Sequence, residues 1–142
     1  MVRVTRGLYA AAVATLIALS AAGVAAQAPP AAVPAEAKKL KNPVAASAAS
    51  VDAGAKLYAK YCRFCHGTTG RADSAMAPKN MKPSNLADAT WDRGSSDGEI
   101  FWVIENGAPP AYDMKGLKGK LAETDMWHLV NFVRSLSAAK PQ

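Results

Sequence analysis

Large apolar residues along the chain recur at helical spacing in three places, and nowhere with the strict alternation of a half-buried strand. The first is Leu57, Tyr58 and Tyr61, with Lys56 and Lys60 one turn apart on a wetter face. Asp52 can accept hydrogen bonds from free backbone amides, so a helix is expected from about residue 53 into the run 62–66. The second is Ile100, Phe101, Val103 and Ile104, behind a Ser96-Asp97-Gly98-Glu99 stretch with the form of a capping box. Asn106-Gly107 and Pro109-Pro110 stop it, which predicts a short helix over about 97–105. The third is Met126, Leu129, Val130, Val133 and Leu136, flanked by Trp127 and Phe132, which predicts a helix over about 123–137. Thr124, His128, Asn131 and Ser135 fall on its opposite face, expected to meet solvent. Between these helices, 67–92 and 108–120 are rich in Gly, Pro and short polar residues, with isolated apolar side chains. Aperiodic stretches of that length inside a small domain usually wrap something. The fold class is all-α, in one domain over 52–139.

The first third of the chain reads differently. Residues 1–26 carry Arg3 and Arg6, then an uncharged stretch over 8–26 ending in small residues, the form of a secretory signal. An uncleaved anchor is the competing reading, because that stretch approaches the roughly 20 residues that span a bilayer. Its Ala-rich character argues for cleavage after Ala26. Residues 27–51 are dominated by Ala and Pro, with Lys38, Lys39 and Lys41 among them, and are expected to form a disordered linker. The net charge of +6 falls to +4 when Arg3 and Arg6 leave. So modest a balance on an exported protein does not point to nucleic acid.

Cys62-Arg63-Phe64-Cys65-His66 is the run that changes the picture. Two thiols three positions apart on a helical turn can both reach the vinyl groups of one porphyrin, and the adjoining imidazole can ligate the iron from the same side. CxxCH is accordingly a c-type haem attachment signature. A zinc site wants about four ligands, and only Cys62, Cys65, His66 and the distant His128 are on offer. A thioredoxin-like pair wants a strand before the helix, and a plain disulfide gives no reason for the histidine.

With Gly54 to Tyr58 ahead of the CxxCH-Gly67 run, the segment from Trp91 to Gly107, and Trp127 to Leu136 in order, the stretch from Asp52 to Leu136 resembles Class I c-type cytochromes. The resemblance implies a small cytochrome c fold of three to four helices wrapped around one haem c, covalently attached through Cys62 and Cys65. It implies that the first and last helices cross at Gly54, with Tyr58 against Leu129, Phe132 and Val133. That crossing would offset the roughly 1 kcal/mol that glycine costs inside a helix. His66 carries over as the proximal iron ligand, and Pro78 as the residue whose carbonyl accepts the imidazole's other proton. Of four methionines, Met126 sits on a packed stripe, while Met76 and Met81 follow His66 closely. Met114 lies in a glycine-flanked loop before the last helix, where the family keeps its distal ligand, and is assigned here. Two departures are Lys115 where the family often has proline, and Ala122 where it often caps the last helix with Ser or Thr.

Trp91 and Arg93 are candidate propionate neighbours by chemical type, against the plainer reading of a packed tryptophan and an exposed arginine. Phe64, Ile100, Val103, Ile104 and Leu117 are expected to wall the haem. Lys79, Lys82, Lys115, Lys118 and Lys120 are expected to rim its edge and to steer redox partners with acidic docking surfaces. The expected role is single-electron carriage by Fe(III)/Fe(II) exchange in the periplasm, without enzymatic activity. Membrane association is expected only if the N-terminal segment is retained. The rival readings are a haem domain with an open or labile distal site, and an electron-transfer subunit of an exported dehydrogenase or oxidase complex.

Overall fold

The computed structural model describes residues 32–138, and the structural statements below refer to those residues. Helix α1 (Ala48–Tyr61) crosses helix α4 (Glu123–Ala138) at Gly54. A Cβ on Gly54 would stand 2.7 Å from Phe132 Cβ and against the His128 carbonyl, so only a bare Cα lets the two backbones approach so closely. One turn on, Tyr58 tilts against Phe132 with ring centroids 5.0 Å apart, and its hydroxyl donates to the Gly67 carbonyl at 2.7 Å. Leu129 and Val133 lie in the same buried cluster, as the resemblance implied.

Helix α2 (Arg63–His66) is a single turn set off from α1 at Cys62, whose carbonyl accepts from both Cys65 N and His66 N. Helix α3 (Asp97–Asn106) starts on the expected capping box: Ser96 Oγ accepts from Glu99 N at 3.3 Å, and the Glu99 carboxylate accepts from Ser96 N at 2.9 Å. The hydrogen bonds from Ser96 hold the Glu99 carboxyl below its ordinary range. Phe101 stacks on Trp127 at 4.0 Å and ties α3 to α4, so Trp127 is a core residue rather than a flank. Among the described residues there is no strand beyond isolated bridges, Gly107 with Lys115 and Lys118 with Leu121. Nor is any helix there long and apolar enough to cross a membrane; the proposed signal over 1–26 lies outside the described residues.

Two expectations change here. Helix α1 begins earlier than Asp52: Ser47 is its cap, accepting from Ser50 N at 3.2 Å, and Asp52 sits exposed inside the helix. Residues 32–47, expected as disordered linker, are instead a strap held onto the domain. A 3-10 turn (Ala35–Lys39) buries Ala37 beside Gly98 of α3. Asn42 donates to Asn131 Oδ1 at 2.8 Å, while Asn131 Nδ2 donates to Ser50 Oγ at 2.7 Å and to Val44 O at 3.1 Å. His128 Nδ1 lies 2.8 Å from the same Ser50 hydroxyl. The supposed solvent face of α4 is therefore where the strap attaches, and Asn131 is only 5% exposed. The strap brings few large side chains, which is why its composition read as linker; carbonyls and short amides hold it, and hydrophobic pattern does not register those.

Candidate haem crevice

A cavity of about 510 Å³ opens between α3, α4 and the two long loops, within the roughly 300–1,000 Å³ of small-molecule and cofactor sites. Ile100, Val103 and Ile104 of α3 form one apolar wall, and Leu129 and Val133 of α4 extend it. Leu86 and Leu117 close it from the loops. Phe64 does not join them: it is 54% exposed, because a residue between the two cysteines of a one-turn helix points away from the side the cysteines share. Leu86 was the wall residue that periodicity missed, being isolated in an aperiodic loop.

Cys62, Cys65 and His66 line this cavity together. Burial, with a smaller contribution from Cys65, pushes the Cys62 thiol up to about 12. Redox-exchange cysteines are recognised by the opposite shift, so Cys62 is not poised as an attacking thiolate. His66 is 7% exposed, and burial lowers its pKa against the opposing pull of a backbone hydrogen bond. That bond runs from Nδ1 to the Ser84 carbonyl at 3.0 Å. A carbonyl only accepts, so Nδ1 carries the proton and Nε2 keeps its lone pair.

The acceptor is a correction, since Pro78 was expected there. The Pro78 carbonyl instead accepts from Met81 N at 2.9 Å and closes a local turn, following another from Ala77 N to Ser74 O. These turns take up chain, so the loop reaches the imidazole later, at Ser84. Residue counting along the chain cannot see such turns. Ser84 carried no signal of its own beyond its place after Pro83 in an irregular segment.

Of the methionines, Met76 is 56% exposed and Met126 is packed in the core at 3%. Met114 and Met81 both line the cavity. The Met114 loop is pinned, with its carbonyl accepting from Ala108 N at 3.0 Å. Gly107 makes that fit at a φ of +100°, where a Cβ would stand 2.7 Å from the Met114 carbonyl oxygen. Trp91 and Arg93 also reach the cavity. Arg93 Nε donates to Pro109 O at 2.9 Å, and the Arg134 guanidinium lies 5.4 Å from the Trp91 ring centre. Of the five expected rim lysines, Lys82, Lys115 and Lys120 line the cavity and Lys60 joins them. Lys79 is exposed away from it, and Lys118 pairs with Glu105 at 3.4 Å.

Among the described residues no group of three or more His, Cys, Asp and Glu is arranged to hold a metal ion directly. An apolar crevice with two thiols and a neutral imidazole on its wall, and thioether sulfurs within its lining, fits a porphyrin. A family model described as cytochrome c oxidase, cbb3-type, subunit III matches residues 49–133. The chain belongs to that family. Its cofactor is haem c, and it is an electron-transferring cytochrome c domain.

The cbb3-type cytochrome c oxidase subunit FixP of Bradyrhizobium sp. (strain ORS 278) is 33% identical over 88 residues, 62% of this chain and 28% of its own length. The chain thus spans under a third of that curated relative. A chain of a reducing HAO-like protein complex of Kuenenia stuttgartiensis shares the fold at a TM-score of 0.61 and 23% identity, over 68% of this chain and 49% of its own. Cytochrome cL of Hyphomicrobium denitrificans does so at a TM-score of 0.52 and 24% identity, over 68% and 52%.

Proposed function

We propose that the protein is an exported, non-enzymatic carrier of single electrons whose haem is held by Cys62 and Cys65 and ligated by His66 and Met114. The carrying observation is one apolar crevice lined at once by Cys62, Cys65, His66 and Met114. Haem c supplies Fe(III)/Fe(II) exchange there. The two thiols supply the thioether links, His66 offers Nε2 because Ser84 occupies its Nδ1, and Met114 offers a thioether sulfur from the opposite loop. His66 and Met114 would together hold the metal, which would leave a substrate no place on it. The aliphatic walls disfavour the extra charge of the ferric state, and thioether ligation works in the same direction, so both raise the potential.

Trp91 and Arg93, at the cavity edge, are the proposed propionate neighbours. Arg93 is committed through Nε to Pro109 and through Nη1 to Ser84, which leaves Nη2 for a carboxylate. Lys60, Lys82, Lys115 and Lys120, with Arg93, exceed the carboxylates Asp92, Glu99 and Asp113 in the lining, a positive excess suited to acidic docking surfaces on redox partners. Oxidoreductase subunits among the relatives favour one refinement: the domain works within an exported oxidase or dehydrogenase assembly rather than as a free shuttle. Residues 1–26 would deliver it to the periplasm, or tether it at the membrane if retained.

Optical spectra of the purified protein in both redox states test the core of this. Covalent haem resistant to acid extraction and a near-infrared sulfur-to-iron band in the ferric form are expected. Ready binding of carbon monoxide by the ferrous protein at neutral pH would overturn the closed coordination. Co-purification under gentle conditions with an oxidoreductase separates the subunit from the shuttle.

A further inference from the structure

Ser84 lends its carbonyl to His66, but its hydroxyl is engaged as well. Ser84 Oγ donates to Asp92 Oδ2 at 2.8 Å, and Arg93 Nη1 reaches the same hydroxyl at 3.4 Å. Arg93 Nε then holds the Pro109 carbonyl at 2.9 Å, in the loop that carries Met114. One polar cluster therefore spans from the loop that bonds the imidazole to the loop that holds the methionine. The direct contact between Arg93 and Asp92, at 3.9 Å with Asp92 58% exposed, is the kind of surface pair that contributes little by itself. The hydroxyl-to-carboxylate bond differs, because it has ordinary hydrogen-bond length, is charge-assisted and anchors the residue whose carbonyl meets His66.

We propose that Asp92 and Arg93 are positioning residues that act through Ser84 to set the strength of the His66 Nδ1–H···O bond, and with it the electron density that Nε2 offers to iron. This rests on the reading of His66 as an axial ligand. Groups that orient a ligating histidine fix its ring and raise its basicity, and a more basic imidazole favours the ferric state. Loosening Ser84 therefore raises the potential. Loss of the Asp92 charge acts the same way, since a nearby carboxylate also favours the ferric state. Ser84→Ala separates the two effects: it keeps the carbonyl, changes no charge and frees the loop from its anchor.

The test uses the haem-loaded full-length protein and the variants Ser84→Ala, Asp92→Asn, Arg93→Lys and Asp88→Asn. Asp88 lies in the same loop, accepts from Thr90 N at 2.9 Å and does not touch Ser84, so it controls for charge. Redox titration is read beside exchange of the His66 Nδ1 proton by NMR. Ser84→Ala and Asp92→Asn are expected to shift the ferric/ferrous ratio at fixed ambient potential at least about threefold toward ferrous. That is about 28 mV upward, at about 59 mV per tenfold for one electron. The His66 Nδ1 proton should exchange faster in both, and in Arg93→Lys, while Asp88→Asn moves neither reading. Unchanged potential and exchange in Ser84→Ala overturn the proposal, as does a shift in Asp88→Asn equal to that in Asp92→Asn. Should Ser84→Ala fail to fold, Asp92→Asn decides by both readings and Arg93→Lys by proton exchange. A wild-type haem not bound by His66 sinks the parent reading instead; ligated variants with an unmoved potential sink this one alone.

Discussion

Gly54→Ala would place a methyl group where Phe132 Cβ and the His128 carbonyl already stand. The gain in helix propensity is about 1 kcal/mol, and overpacking costs about 1–3 kcal/mol. A backbone carbonyl cannot rotate aside as a flexible side chain can, so the cost wins. A net loss of about 1–2 kcal/mol is expected, read as a lower denaturant midpoint at unchanged slope. Met114 and Met81 pose a cleaner question, since both line the crevice. Met114→Ala is expected to abolish the near-infrared band, lower the potential and let carbon monoxide bind, whereas Met81→Ala should leave all three as in wild type. Reversal of the two results would move the distal ligand to Met81.

Among the elements, the strap and α3 carry separate predictions. Asn131→Ala takes the partner from the Val44 carbonyl and from Asn42 Nδ2 and removes one from Ser50. The groups stranded at Asn42 and Val44 are half-buried and the one at Ser50 is buried, so the cost is expected near the lower end of about 1–3 kcal/mol. The loss should appear as faster proteolytic cutting within 32–47 before any change in the haem spectrum. In α3 the Glu99 carboxyl is held below its ordinary value of 4.5 in the folded state by Ser96. Its contribution is therefore fully present above that value and is lost as pH falls through the lower folded one. Glu99→Gln, which cannot titrate, should flatten that part of the acid limb in melts followed between about pH 5 and pH 2.

At the scale of the whole molecule, Lys60, Lys82, Lys115 and Lys120, with Arg93, outnumber Asp92, Glu99 and Asp113 along the cavity lining, and that positive excess predicts long-range attraction. Association with an acidic redox partner should slow steeply as ionic strength rises, because the Debye length shrinks from about 30 Å at 0.01 M to about 10 Å at 0.1 M. Stopped-flow rates should lose most of that dependence when Lys82, Lys115 and Lys120 are changed to glutamine. Rates indifferent to salt in the wild-type protein would remove steering from its function. Lys82, Lys115 and Lys120 lie on the same two loops that supply Met81 and Met114 to the cavity lining, while Lys60 stands on α1.

What the sequence determined by itself was whatever depends on neighbours along the chain. Cys62, Cys65 and His66 are close because a helical turn makes them so; Ser96 and Glu99 cap α3 because three residues of backbone suffice; the apolar stripe of α4 follows from its period. The glycine at the crossing was legible too, though only through resemblance, since nothing local to Gly54 says which helix approaches it. Tertiary structure alone decided that Ser84 rather than Pro78 meets the imidazole, and that an Ala- and Pro-rich stretch is strapped to α4 through Asn131. Each of these turns on where an aperiodic segment arrives after its own turns, or on a hydrogen bond to a backbone carbonyl. Every residue carries such a carbonyl, so no side-chain pattern marks the one that will be used.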